Sequence, residues 1–342
     1  VSAKQKNATE KMILAKSRLS IWTITILSFT LTSCAGIKNA QLTSQFEKSN
    51  CNQQLTRFYT EEDLPKPIHT LNIDTVLTNR FSFQALNAAN AVGLLDSLTK
   101  YVKLKKSLDR FSTIEKRLEI VELSQRIMQR INISSLEISA VASEMDCEEE
   151  RADQIATYLK GKEDDAETKL TVAAIVIGAA GAITAGILLA KGNTENTPEF
   201  IGIGAGLTET ALGVLILMNK RKVKFFHKRN ALKDIWTAPV TSAIFPSSVW
   251  YYLTYENPFS EIKSLRQQLV DKWFGFGQIA DTKEKNKEKL YSLFFGEGGE
   301  YTAEHLMNRA NMHDQIEAHI NLMKQDLKLL ASELENLNTY NP

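Results

Sequence analysis

Apolar residues recur at Leu94, Leu98, Tyr101, Leu104, Leu108, Phe111, Ile114, Leu118 and Val121, three or four positions apart. That spacing draws one stripe along a helix of 3.6 residues per turn. The stripe continues less regularly through Ile127, Ile131, Ile138, Val141 and Met145, and no proline interrupts residues 68–197. The pattern predicts a long amphipathic helical tract over 83–162, about 110 Å if unbroken at 1.5 Å per residue. Asn132-Ile133-Ser134-Ser135 is the expected break, because short polar side chains compete for backbone hydrogen bonds. A helix that long has to pack on others, which argues for an elongated bundle.

The C-terminal region 259–342 carries a cleaner version of the same signal. Ile316, Ile320, Met323, Leu327, Leu330, Leu334 and Leu337 alternate steps of four and three, with Lys324, Lys328, Glu333 and Glu335 outside the seam. This is a coiled-coil pattern. It is expected to meet a partner helix, from the same chain, from a second copy or from another protein. Two shorter helices, 259–273 and 282–295, precede it, with Gly275, Gly277, Gly296, Gly298 and Gly299 marking their ends. Residues 34–82 read as a tether and irregular segment, with a short strand expected near Leu71–Leu77.

Between the two helical regions the periodicity gives way to continuous apolar runs. Residues 170–190 contain no charge, and 201–218 are broken only by Glu209; a polar loop separates them. Each run is long enough to approach a bilayer span. Small residues recur every fourth position at Ala174, Gly178, Ala182 and Gly186, and at Gly202 and Gly206. On helices these form ridges that allow close backbone approach, so the two arms are expected to face one another as a Gly/Ala-rich hairpin within 163–233. The hairpin fits a lipid bilayer, and it also fits the core of a soluble bundle.

Directly after the second arm come Lys220, Arg221, Lys222, Lys224, Lys228 and Arg229, suited to anionic lipid head groups. If both arms cross an inner membrane after export, this block ends outside, against the positive-inside tendency. If one arm crosses, the C-terminal helix is cytoplasmic. If neither inserts during export, the hairpin docks later. The connector 234–258 concentrates Trp236, Phe245, Trp250, Tyr251, Tyr252 and Tyr255, fitting either an interfacial belt or a small satellite core.

The N-terminus reads as an address. Lys16 and Arg18 precede an apolar stretch, Leu19 to Leu31, too short to span a bilayer, and Cys34 follows. Leu31-Thr32-Ser33-Cys34 resembles the lipobox of bacterial lipoproteins. The resemblance implies a signal peptide over 1–33, with residues 1–11 read as a start-site extension, and a lipid on Cys34. It implies a cell-envelope address, lipid-anchored, at the outer membrane more than the inner. Cys51 and Cys147 then remain as an even pair in an oxidising compartment, candidates for a disulfide. The order of long helix, hydrophobic hairpin and further helices is also similar to α-helical pore-forming toxins, in layout only.

Composition narrows the rest. A net charge of +1 excludes a globally basic nucleic-acid binder, and 43% hydrophobic residues exclude a disordered chain. No nucleophile elbow, phosphate loop, CxxC pair or zinc-protease motif is present. His313 lies one turn before Glu317 but one heptad before Ile320, which makes it an extension of the seam. The acidic stretch Asp146 to Asp153 reads as a solvated helix face. The expectation is therefore a mainly α protein, an elongated helical bundle or coiled coil with a Gly/Ala-rich hydrophobic hairpin. It is expected to be non-enzymatic, without metal, cofactor or small-molecule substrate, with membrane lipid and a protein as partners.

Overall fold

The computed structural model describes residues 51–52, 58–109, 111–190, 197–218, 220–227, 229–279 and 284–339. The chain divides into two units, Val1–Asn39 and Ala40–Pro342, and every described residue belongs to the second. The signal segment 1–33, Cys34 and Lys228 lie outside the described residues. The fold is mainly α. Its helices are α1 (Thr75–Thr78), α2 (Phe83–Ala91), α3 (Leu95–Lys106), α4 (Ile114–Ala190), α5 (Thr197–Met218), α6 (Ala231–Thr237), α7 (Ser247–Thr254), α8 (Leu265–Gly275), α9 (Glu284–Phe295) and α10 (Ala303–Thr339). A two-stranded antiparallel ribbon joins β1 (Lys222–Phe226) to β2 (Gly298–Thr302).

The predicted tract over 83–162 is folded into three pieces, and its last piece continues past 162 into the first hydrophobic arm. The first break is a helix stop at Gly93, whose φ of +71° suits glycine. There the Leu94 N–H donates to Ala89 O at 2.8 Å and the Gly93 N–H to Asn90 O at 3.0 Å, the paired bonds of a Schellman end. The second break spans 107–113. Asp109 Oδ1 accepts from the Phe111 N–H at 3.1 Å and from Ser112 Oγ at 2.7 Å, and Thr113 Oγ1 accepts from the Lys116 N–H at 3.4 Å. Short polar side chains thus stop the helix here. At the expected site, 132–135, α4 runs straight through, with Ser134 fully buried against the bundle. Burial of Ile131 and Ile138 on either side holds the helix where local preference alone would loosen it.

α4 is 77 residues long, about 115 Å at helical rise. Its Leu123, Ile127, Ile131, Ile138, Val141, Met145, Ile155 and Leu159 are buried, and α10 covers them with Ile316, Ile320, Met323, Leu327, Leu330 and Leu334. The C-terminal seam from Ile316 to Leu334 is therefore satisfied from within the chain, by α4 and by the alanine face of α2. Ser82 links two ends of this packing: its Oγ caps α2 and its N–H donates to Glu333 Oε2 at 3.0 Å.

No strand forms near 71–77; a 3₁₀ turn at Ile68–Thr70 and α1 occupy that region. Asp74 caps α1 and pairs with Lys103 of α3 at 2.5 Å, which takes the segment out of any ladder. The aromatic connector is core, not a belt. Phe245, Trp250, Tyr251 and Tyr252 are buried, and Trp236 stacks on Phe295 at 4.7 Å. The Tyr251 hydroxyl donates to Asn87 Oδ1 at 2.8 Å and accepts from Asn90 Nδ2 and the Ile68 N–H. That network ties α7, α2 and the 60s segment together, and burial pushes the phenol up to about 12. Cys51 and Cys147 are disulfide-bonded, closing a sequence separation of 96 between the N-terminal segment and α4.

Candidate functional site

The distal half of α4 and α5 form the expected apolar hairpin. An 18-residue window of α4 reaches a mean hydropathy of 2.1, and none of it is buried. Val172, Ile175, Val176, Ile183 and Leu189 point away from the protein, as do Leu207 and Val214 of α5. No charge or proline interrupts the helix between 170 and 190, and its contacts here are with α5.

The contact between the arms does not follow the predicted ridge. Four-residue steps on a helix precess by about 40° each, so Gly186 has rotated about 120° from Ala174. The half-buried face instead runs through Ala174, Gly178, Gly181 and Ala185, a four-three-four sequence. Ala182 is exposed, and a Cβ added at Gly186 or Gly206 would meet nothing within 4 Å. Ala174 and Gly178 therefore lie on the covered face, whereas Ala182, Gly186 and Gly206 do not form a glycine contact. Gly202 lies within α5, on a stretch whose burial is outside the described residues.

The basic block at the hairpin root divides by role. The Arg221 N–H donates to Glu163 Oε1 at 2.6 Å, and Lys220 pairs with Glu304 at 3.3 Å with both side chains exposed. Lys222 and Lys224 stand on the exposed face of β1. Arg229 departs from the head-group expectation: its Nε and Nη2 bind both oxygens of Glu144 at 2.9 and 3.3 Å, and Nη1 donates to Ala243 O. Glu144 is buried, and burial raises its carboxyl against the pull of Arg229. A buried carboxylate needs that partner, so Arg229 holds the fold together.

Behind β1 lies a polar cluster that joins the root to α4 and α10. Phe225 packs between the guanidinium of Arg151, 4.6 Å from its ring centre, and that of Arg309 at 5.9 Å. Arg309 is fully buried; its Nη1 reaches Phe294 O at 3.4 Å, while Nε and Nη2 have no hydrogen-bond partner among the described residues. The Tyr301 hydroxyl donates to Leu293 O at 2.5 Å and lies 3.2 Å from His227 Nε2, which places the His227 proton on that nitrogen. His227 is pushed down to about 2 by burial and then by the charge of Arg309. His313 is driven well below its ordinary value for the same reasons, and neither ring nitrogen has a hydrogen-bond partner among the described residues. Both imidazoles are neutral spacers. The sequence carried a signal for this: Leu306, Arg309 and His313 continue the three-four spacing of the seam upstream of Ile316.

Two further groupings involve charge. Asp146, Glu149 and Glu317 bring carboxylate oxygens within 4.8 Å of one another across α4 and α10. Burial, then the neighbouring acids, raises the carboxyls of Glu149 and Glu317. His313 does not join them; its charged neighbours are Arg309 and Arg151. The acidic stretch is thus only partly a solvated face. A cleft of 640 Å³ beside α1 and α3 is lined by Asp74, Arg80, Lys103 and Lys106, with Asp74 and Lys103 already paired.

The architecture that emerges is a bundle with a bare hydrophobic hairpin fixed at its root by β1. Comparison with known proteins found no matching family, no similar curated protein and no similar solved structure.

Proposed function

We propose that this chain is a lipid-anchored protein of the bacterial cell envelope, a non-enzymatic helical scaffold held at a membrane by Cys34 and by the hairpin of α4 and α5. The observation that carries the reading is the hairpin itself: an 18-residue window of α4 with a mean hydropathy of 2.1 and none of it buried. Uncovered apolar surface on this scale marks a membrane or protein contact. The length of 170–190, about 31 Å, matches the hydrocarbon thickness of a bilayer. Lys222 and Lys224, exposed on β1 immediately after α5, are suited to anionic head groups at the root. The covered core then projects from the membrane and meets other envelope components.

The test separates the two attachments. In Cys34→Ser protein, the hairpin alone keeps the chain in the membrane pellet through alkaline carbonate extraction. Adding Ile175→Glu, Ile183→Glu and Leu207→Glu releases it. Complete release of Cys34→Ser alone overturns hairpin insertion, and lipid labelling that persists in Cys34→Ser overturns the lipoprotein assignment. The exposed hairpin also favours a second reading, membrane perforation of the toxin-like kind. Dye leakage from liposomes that is abolished by the same Glu substitutions would support it, and intact liposomes would exclude it.

A further inference from the structure

The first turns of α4 carry apolar side chains on two faces. One face, Leu123, Ile127 and Ile131, is buried under the bundle. The other passes through Ile114, Leu118, Val121 and Met128, with exposures from 80% down to 38%, and Phe111, 93% exposed, lies in the turn just ahead of it. At about 100° per residue the faces are about 135° apart, so the elements that cover the first leave the second open. Positions 111, 114, 118, 121, 125, 128 and 132 alternate steps of three and four. From the start of α4 they form a heptad seam with Leu118 and Gln125 at a, and Ile114, Val121 and Met128 at d.

We infer that this face is the interface of a parallel, two-fold homodimer, in which a second copy lays the same stripe against it. Charge selects both the partner and the direction. Glu115 and Glu122 fall at e and Arg117 at g, all exposed. In a parallel pair each g position faces the e position five residues on, so Arg117 of each copy meets Glu122 of the other, twice by symmetry. An antiparallel pair would set the glutamates at e against one another. The nearby charges Glu119 and Arg130 pair inside the chain, with Lys100 and Glu137. Among the described residues, Arg117 and Glu122 make no ion pair. Gln125 meets its own copy, and a polar residue at a fixes register at some cost in stability. Ile131, at g, is already buried in the bundle, so the seam ends there.

The test is sedimentation equilibrium of the full chain in detergent micelles. Wild type is expected as a reversible dimer, and Leu118→Asp as a monomer with unchanged helicity, since Leu118 is exposed. Arg117→Glu should weaken dimerisation about tenfold, as two symmetric attractions become repulsions, and adding Glu122→Arg should restore it. Gln125→Cys should cross-link to itself under mild oxidation, while Arg126→Cys, at b, should not. A monomeric wild type overturns the inference, as does a dimer indifferent to Leu118→Asp, which would assign association to the hairpin. A double charge swap no better than Arg117→Glu, or equal cross-linking at 126, overturns the parallel register. Loss of vesicle binding by Leu118→Asp from a monomeric protein would assign the stripe to lipid instead.

Discussion

Arg309 is the fully buried cation of this fold whose removal should strengthen it. Replacing it with methionine keeps the length of the side chain and discards the charge. Three interactions are lost: a long hydrogen bond to Phe294 O at 3.4 Å, no more than about 1 kcal/mol, a cation–π contact at 5.9 Å, about 0.5–1 kcal/mol, and the attraction of the guanidinium to the Tyr301 oxygen and the Glu148 carboxylate. The gain is larger. Nε and Nη2 are buried donors without acceptors among the described residues, each costing about 1–3 kcal/mol, and the charge itself is desolvated. The balance predicts that Arg309→Met stabilises the bundle by about 1–3 kcal/mol, in line with replacements of buried ionic groups by apolar ones. Trp250 and Trp273, both buried, report unfolding in urea by fluorescence, and an unchanged slope identifies a true change in stability. Destabilisation by more than about 1 kcal/mol would refute the reasoning, because the guanidinium would then have partners that the geometry does not provide.

Three further outcomes follow from the same structure. Cys147→Ser opens a loop with a sequence separation of 96, and loop-closure entropy sets an upper bound of about 4.7 kcal/mol on the loss, read as a lower urea midpoint; a midpoint unaffected by the change would remove the disulfide from the stability argument. Gly298 has φ +101° and a Cβ there would stand 2.3 Å from Phe225 O, so Gly298→Ala should break the ribbon register and raise proteolysis near 222–226; protection equal to wild type would contradict this. His313 and His227 have folded pKa values below their unfolded ones, so the unfolded chain binds more protons as pH falls. Their stabilising contribution is present above about pH 6.5 and is lost below it, at about 1.4 kcal/mol per pH unit for each. Glu149 and Glu317, raised in the folded state, oppose that trend as they protonate. His313→Leu should therefore flatten the acid limb of stability against pH, and an unchanged limb would show that His313 takes no part.

Sequence pattern determined the helical class, the apolar arms and the seam of α10, because period and composition act locally along the chain. It also read two C-terminal helices at 259–273 and 282–295, which form at Leu265–Gly275 and Glu284–Phe295. Tertiary packing decided the rest. Asn132 to Ser135 stayed helical because Ile131 and Ile138 are buried on either side, while 107–113 broke where Asp109, Ser112 and Thr113 take the backbone hydrogen bonds. The stripe read as one face from Leu94 to Val121 is divided by that break. Leu98 and Tyr101 went into the core, and Ile114, Leu118 and Val121 were left in the open. Arg229 and Arg221 look alike in a basic block, yet the former neutralises a buried glutamate 85 residues away and the latter lends only its backbone N–H to Glu163. Charge and periodicity are properties of a segment; burial, and therefore which charge needs a partner, belongs to the assembled chain.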